Sequence, residues 1–228
     1  MTTLEFEPLS HSYYANGEQV PSVTHVIRVL EAYNRMSEAA LAPYAQRGTE
    51  AHTLTEEWDV MEKVGRDFDV DAVPEDRAGY LMAWINFRAD FDFAPTHIEH
   101  RVLHEKLWYA GTIDRIGVVR GKLAVVDIKT SARLGPAVGV QLAAYQHAFT
   151  EEVCESRYAV QLSADGTYRV VEYSNPLDWD AFRGCLALHT WQESHRIQLG
   201  DVRPRTDHGQ QDVSNWPQFA REASSSPR

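Results

Sequence analysis

The sequence predicts a mixed α/β domain, with a central β-sheet flanked by helices. Three observations lead there. Helical periodicity fills the stretches before residue 91 and after 136, strand-like alternation fills 97–130, and a second strand pair precedes the last helix. Segregated strands argue against a doubly wound dinucleotide fold, and neither GxGxxG nor GxxxxGK[ST] occurs. The 228 residues, 43% hydrophobic and 24% charged, suit a single domain over 1–200 with an N-terminal helical portion. A polar, loosely ordered tail is expected over 201–228, where Ser, Asp, Gln, Pro and Arg dominate.

The elements follow in order. Residues 4–14 predict a short strand, and Asn16-Gly17 a turn. Ser22 is placed to N-cap a helix carrying Val23, Val26, Ile27 and Leu30 at helical spacing. A second helix is expected over 37–63, with a break before RGTEAH because Pro43 and Gly48 interrupt it. A third spans 75–91 and presents Tyr80, Leu81, Trp84, Ile85 and Phe87 as a core face. Strands then cover THIEHRVLHEK, LWYAGTIDRIGVV and KLAVVDIKT. Pro136 opens a helix over 136–149. A hairpin joins strands 156–163 and 167–173 through Ala164-Asp165-Gly166, and a last helix runs over 177–197. Trp58, Trp84, Trp108, Trp179 and Trp191 are read as core side chains.

Composition excludes several classes. No stretch approaches the ~20 apolar residues of a membrane span, and Met1 leads into a polar, acidic segment, so the chain reads as soluble and cytoplasmic with no membrane partner. The charge of -11 argues against broad attraction to polyanions but leaves room for a local basic groove or a metal-neutralised acidic site. Cys154 and Cys185 are too few for an iron–sulfur cluster and are expected to be reduced and packed.

The stretch GTIDRIGVVRGKLAVVDIKT places Asp114 and Asp127 inside apolar, β-favouring runs. A two-residue turn over Arg120-Gly121 makes paired positions sum to 241, setting Asp114 opposite Asp127, with Lys129 on the same face. Opposed carboxylates on one ladder call for a compensating cation, and oxygen ligands suit Mg²⁺ or Mn²⁺. The hairpin alone leaves a second reading open, in which Asp114 pairs with Arg115 or Arg133 at a solvated sheet end.

Four ordered motifs carry a resemblance: RGTEAH at 47–52, GTID at 111–114, DIKT at 127–130 and QLAAY at 141–145, with VPSVT at 20–24 upstream. Together they resemble the PD-(D/E)XK nuclease superfamily, in its RecB-like branch that includes phage recombination exonucleases. The resemblance implies a restriction-endonuclease-like core and metal-dependent hydrolysis of DNA phosphodiester bonds. It implies His52, Asp114, Asp127 and the Ile128 carbonyl as ligands to Mg²⁺ or Mn²⁺, with Asp114, Asp127 and Lys129 catalytic. Gln141 and Tyr145, on one helical face, would touch the DNA backbone or support the site. Glu99 resembles an acidic position found near the site in some members, a description that Glu105 and Glu50 also meet. A role in bacterial or phage recombination and repair is implied, alongside DNA and a single-strand annealing or other recombination protein. Ile113 stands where the superfamily name has proline, and Asp127 where it allows Glu. Arg47, Arg101, Lys122, Lys129, Thr130 and Arg133 lie beside the motifs and are expected to meet phosphates. His97, His100 and His104 are read as surface residues, with 97 and 100 facing opposite sides of an extended segment.

Overall fold

The computed structural model describes residues 2–8, 10–31 and 38–195. The predicted tail over 201–228 and the ends of the first and last predicted helices lie outside these residues. Three short antiparallel strands come first: β1 (Leu4–Glu7), β2 (Ser12–Ala15) and β3 (Glu18–Val20). The single strand expected over 4–14 is therefore two strands, and Asn16-Gly17 turns the second into a third. Both turn residues have positive φ, 52° and 82°, as a tight hairpin with right-handed strand twist requires.

Helix α1 (Val23–Glu31) starts where Ser22 Oγ accepts the His25 N–H at 3.1 Å. Helix α2 runs unbroken over Glu38–Lys63, so the expected break before RGTEAH does not occur. Pro43 lies in the second turn, where one ladder bond is forgone without severing the helix, and a side chain at Gly48 would meet no crowding. The predicted third helix is α3 (Glu75–Phe91), which buries Tyr80, Leu81, Trp84 and Phe87.

The central sheet has the order β4 (Pro95–His104), β5 (Tyr109–Val119), β6 (Lys122–Lys129), β7 (Ser156–Leu162), β8 (Tyr168–Glu172). Every neighbouring pair is antiparallel except β6 and β7, which run parallel. Helix α4 (Ala137–Ala148) makes the crossover that a parallel pair needs. The last helix, α5, spans Leu177–Ser194. Among the described residues this is a mixed α/β fold with five α-helices and a five-stranded mixed sheet.

Two apolar layers cover the sheet. Val23, Val26 and Ile27 of α1, Val140, Leu142 and Ala144 of α4 and Phe182 of α5 pack on one face. Ala51 of α2 and Tyr80, Ala83, Trp84 and Phe87 of α3 pack on the other. Strands β5 and β6 are buried along most of their length, so polar residues within them sit between two dry layers. Cys154 and Cys185 are free thiols and buried, as expected. Trp191 departs from its predicted core role: it is half exposed near the end of α5. No described helix is long and apolar enough to cross a membrane.

Candidate active site

The β5–β6 hairpin has the predicted register. Val119 pairs with Lys122 and Arg115 with Val126, through a turn in which Arg120 and Gly121 both have positive φ. Beyond that ladder the Asp114 carboxylate accepts the Ile128 N–H at 2.6 Å. The pairing of Asp114 with Arg115 or Arg133 is not found. The Arg115 side chain turns away to Asp59 and Glu99, touching residue 114 only at its backbone carbonyl, 2.6 Å from Nη1.

Asp127 is 2% exposed, and Lys129 lies against it. Lys129 Nζ stands 3.1 Å from Oδ1 in hydrogen-bonding geometry and 2.8 Å from Oδ2, yet Oδ2 is buried with no hydrogen bond of its own. Burial pushes the Asp127 carboxyl up to about 6, Lys129 opposes this, and the Asp114 charge adds to it. The lysine is held from the other side by Gln141 Oε1 at 3.0 Å. Gln141 Nε2 donates in turn to Tyr145 OH at 3.2 Å. Both residues are buried, so α4 supports Lys129 through them, and neither presents its polar end on an open surface. Gly111 makes room for this arrangement, because a Cβ there would stand 2.6 Å from Tyr145 Cε1.

From the opposite layer α2 delivers His52. Its Nε2 is 3.0 Å from the Ile128 carbonyl oxygen, and its Nδ1 is 3.7 Å from Asp114 Oδ2. Glu99 completes the group: donor atoms of His52, Glu99 and Asp114 all lie within 4.8 Å of one another. Glu99 has φ of 46°, left-handed for a strand residue, which breaks the alternation of β4 at that point. Burial and then the neighbouring Asp114 charge push its carboxyl up to about 8, although Arg115 Nη1 donates to it at 2.9 Å. The competing acids lie elsewhere. Glu50 is engaged by Gln46 and Arg77, and Glu105 sits in an exposed turn.

The donor set fits a hard divalent cation. Two carboxylates, Glu99 and Asp114, and the His52 imidazole meet at one end of the hairpin, and like charges this close are costly without a cation to offset them. His52 Nε2–H donates to the Ile128 carbonyl, so the nitrogen that offers a lone pair to a cation is Nδ1, 3.7 Å from Asp114 Oδ2.

The basic residues divide. Arg47 Nη2 reaches the Thr130 carbonyl at 3.4 Å, next to Lys129, and Arg133 is exposed in the loop after β6. Lys122 lies away from the site: it begins the strand that Lys129 ends, roughly 23 Å away for an extended strand. Arg101 lies over the Phe6 ring of the small sheet. One element of the site had no motif to announce it. Asp59, Arg115 and Arg88 form a buried ionic cluster in which Asp59 also accepts from Trp84 Nε1 at 3.0 Å. Thr55 Oγ1 takes a further bond from Arg115 Nη2 at 3.2 Å. This cluster anchors α2 to β5 and so sets where His52 points.

The Glu99 shift has a consequence for stability. A carboxyl whose folded pKa is raised stabilises the fold below its unfolded pKa, and that contribution is lost as pH rises through the folded value. Metal-free protein is therefore expected to lose stability between about pH 4.5 and pH 8. Glu99→Gln is expected to flatten that loss and to raise Tm at pH 8.5 relative to the wild type. Thermal unfolding in chelator between pH 5 and 9 measures it, and identical pH profiles for the two proteins would refute it.

Comparison with models of protein families and with curated proteins finds no match for this chain.

Proposed function

We propose that this protein is a metal-dependent deoxyribonuclease of the PD-(D/E)XK type, acting as an exonuclease on linear DNA. The observation that carries the reading is the convergence of His52, from α2, on Asp114 and the Ile128 carbonyl at the end of the hairpin where Lys129 bridges Asp127 and Gln141. The three groups come from sequence positions far apart, and a surface salt bridge gives no reason for them to meet.

In this reading Asp114, Asp127, Glu99, His52 and the Ile128 carbonyl hold Mg²⁺ or Mn²⁺. The bound cation would neutralise the phosphate and lower the pKa of a water at the site. Lys129 has a different task. Its ammonium is fixed between Asp127 and Gln141 and can orient the attacking water toward the scissile phosphate or balance charge as the phosphorus gains the water oxygen and releases the bridging 3′ oxygen. Gln141 and Tyr145 restrict the lysine's rotamers so that this charge is positioned before substrate arrives. The Ile128 N–H fixes the Asp114 carboxylate in the same way. Arg47 and Arg133 would serve as phosphate contacts without sequence preference.

The test is digestion of 5′- and 3′-labelled linear duplex and single strands with Mn²⁺, beside a covalently closed circle. Release of nucleotides from linear DNA with the circle intact supports the exonuclease. Nicking of the circle would replace it with an endonuclease on the same core, and a mobility shift without cleavage would leave a DNA-binding protein.

A further inference from the structure

Two histidines expected to face opposite sides of β4 do not. The ring centroids of His97 and His100 are 4.7 Å apart, edge to face, and both rings pack on Phe149 at the end of α4. The left-handed backbone at Glu99, between them, accounts for the change: it disrupts the alternation that would have separated positions 97 and 100. Glu99 itself points to Arg115 and α2, on the other face of the sheet, so the two histidines share no ligand with the candidate active site.

Glu151, in the loop after α4, reaches both imidazoles. Its Oε2 is 3.3 Å from His97 Nε2 and its Oε1 is 3.2 Å from His100 Nε2. The orientation of the His97 ring is constrained by Thr96. The Thr96 hydroxyl lies 3.0 Å from both the Ile116 carbonyl oxygen and His97 Nδ1, which ties down that nitrogen of the ring. The other ring nitrogen, Nε2, faces the Glu151 carboxylate. An imidazole whose second nitrogen is tied down by a hydrogen bond is the usual arrangement of a metal-bound histidine.

We propose that His97, His100 and Glu151 form a binding site for a zinc-type transition metal, separate from the candidate active site, that ties the loop after α4 to β4. Two donors ~2.0–2.1 Å from a tetrahedral zinc stand about 3.3 Å apart, which matches both observed separations. Donor atoms of all three residues lie within 4.8 Å of one another. Two imidazoles and one carboxylate favour Zn²⁺ or Co²⁺ over Mg²⁺, in contrast to the carboxylate-rich site at Asp114. Glu151 is exposed, so water can supply the fourth ligand.

Equilibrium dialysis of metal-free full-length protein against Zn²⁺ tests this, with excess Mg²⁺ to occupy the carboxylate site. Asp114→Asn protein should retain one Zn²⁺ equivalent that the same protein carrying His100→Ala does not. Glu151→Gln, in an exposed loop, should lose it without a change in the far-ultraviolet circular dichroism, which covers the case of a misfolded His100→Ala. Thr96→Val, which removes only the partner of Nδ1, should weaken Zn²⁺ about 10-fold or more. Equal Zn²⁺ retention with and without His100 and Glu151, or displacement of the ion by Mg²⁺, would show an ion pair only and overturn the proposal. The outcome is independent of whether the protein cleaves DNA.

Discussion

Asp127→Ala and Lys129→Ala are each expected to reduce metal-dependent release of nucleotides from linear DNA by at least about 10²-fold, the scale on which a positioned charge contributes to a transition state. Binding of DNA should fall far less than cleavage in both, because the proposed contacts at Arg47 and Arg133 are retained. The proteins should also remain folded. Asp127 is a carboxylate raised in pKa by its own burial and repelled by Asp114, so its removal relieves an unfavourable interaction in the metal-free state. Asp127→Asn keeps the shape and isolates the charge. Lys122→Ala, at the far end of the same strand, serves as the control and should retain full activity. Wild-type turnover in Lys129→Ala protein of unchanged Tm would remove the lysine from the mechanism.

Arg115→Met is expected to destabilise the fold by about 3–5 kcal/mol, the range seen when one partner of a buried ion pair is removed. That is a large share of the ~5–15 kcal/mol that typically separates folded from unfolded domains. The arginine is fully buried and gives hydrogen bonds to Asp59, Glu99, Thr55 and the Asp114 carbonyl. Asp59 keeps Arg88 Nη1 at 2.8 Å and Trp84 Nε1, but its Oδ2 loses the partner that balances it. Urea unfolding measures the loss. The double substitution Arg115→Met, Asp59→Leu should cost less than the sum of the two single ones, because each single one leaves the other residue's buried charge without its partner. Additive effects would mean that the two residues act independently.

Asp127, Lys129 and Arg115 also show how far the sequence could be read. Asp127 and Lys129 are legible because a two-residue turn and period-two alternation fix the hairpin register with no reference to the rest of the chain. Asp114, Gln141 and Tyr145 follow from short motifs on single elements. Arg115 was visible only as a neighbour of Asp114, since nothing local reveals that its guanidinium reaches Asp59, 56 positions away. Glu99 could not be ranked above Glu50 and Glu105, for its position depends on a left-handed backbone that an ordinary strand pattern does not signal. The same residue misplaced His97 and His100, which alternation had assigned to opposite faces. In α2, Pro43 and Gly48 suggested a break where packing and one forgone hydrogen bond allow a continuous helix.

The contact between His52 and Ile128 spans 76 positions, whereas the hairpin that carries both aspartates closes over two. These events belong to different stages of folding. Local hairpins form in about 1–10 μs, while pairings of large sequence separation await the ordering of the chain between them. The β5–β6 hairpin can therefore bring its carboxylates together early, and the histidine arrives only when α2 docks through Asp59 and Arg115. A nascent or partly unfolded chain would carry the acidic half of the centre without the imidazole, so the complete donor set marks the finished fold.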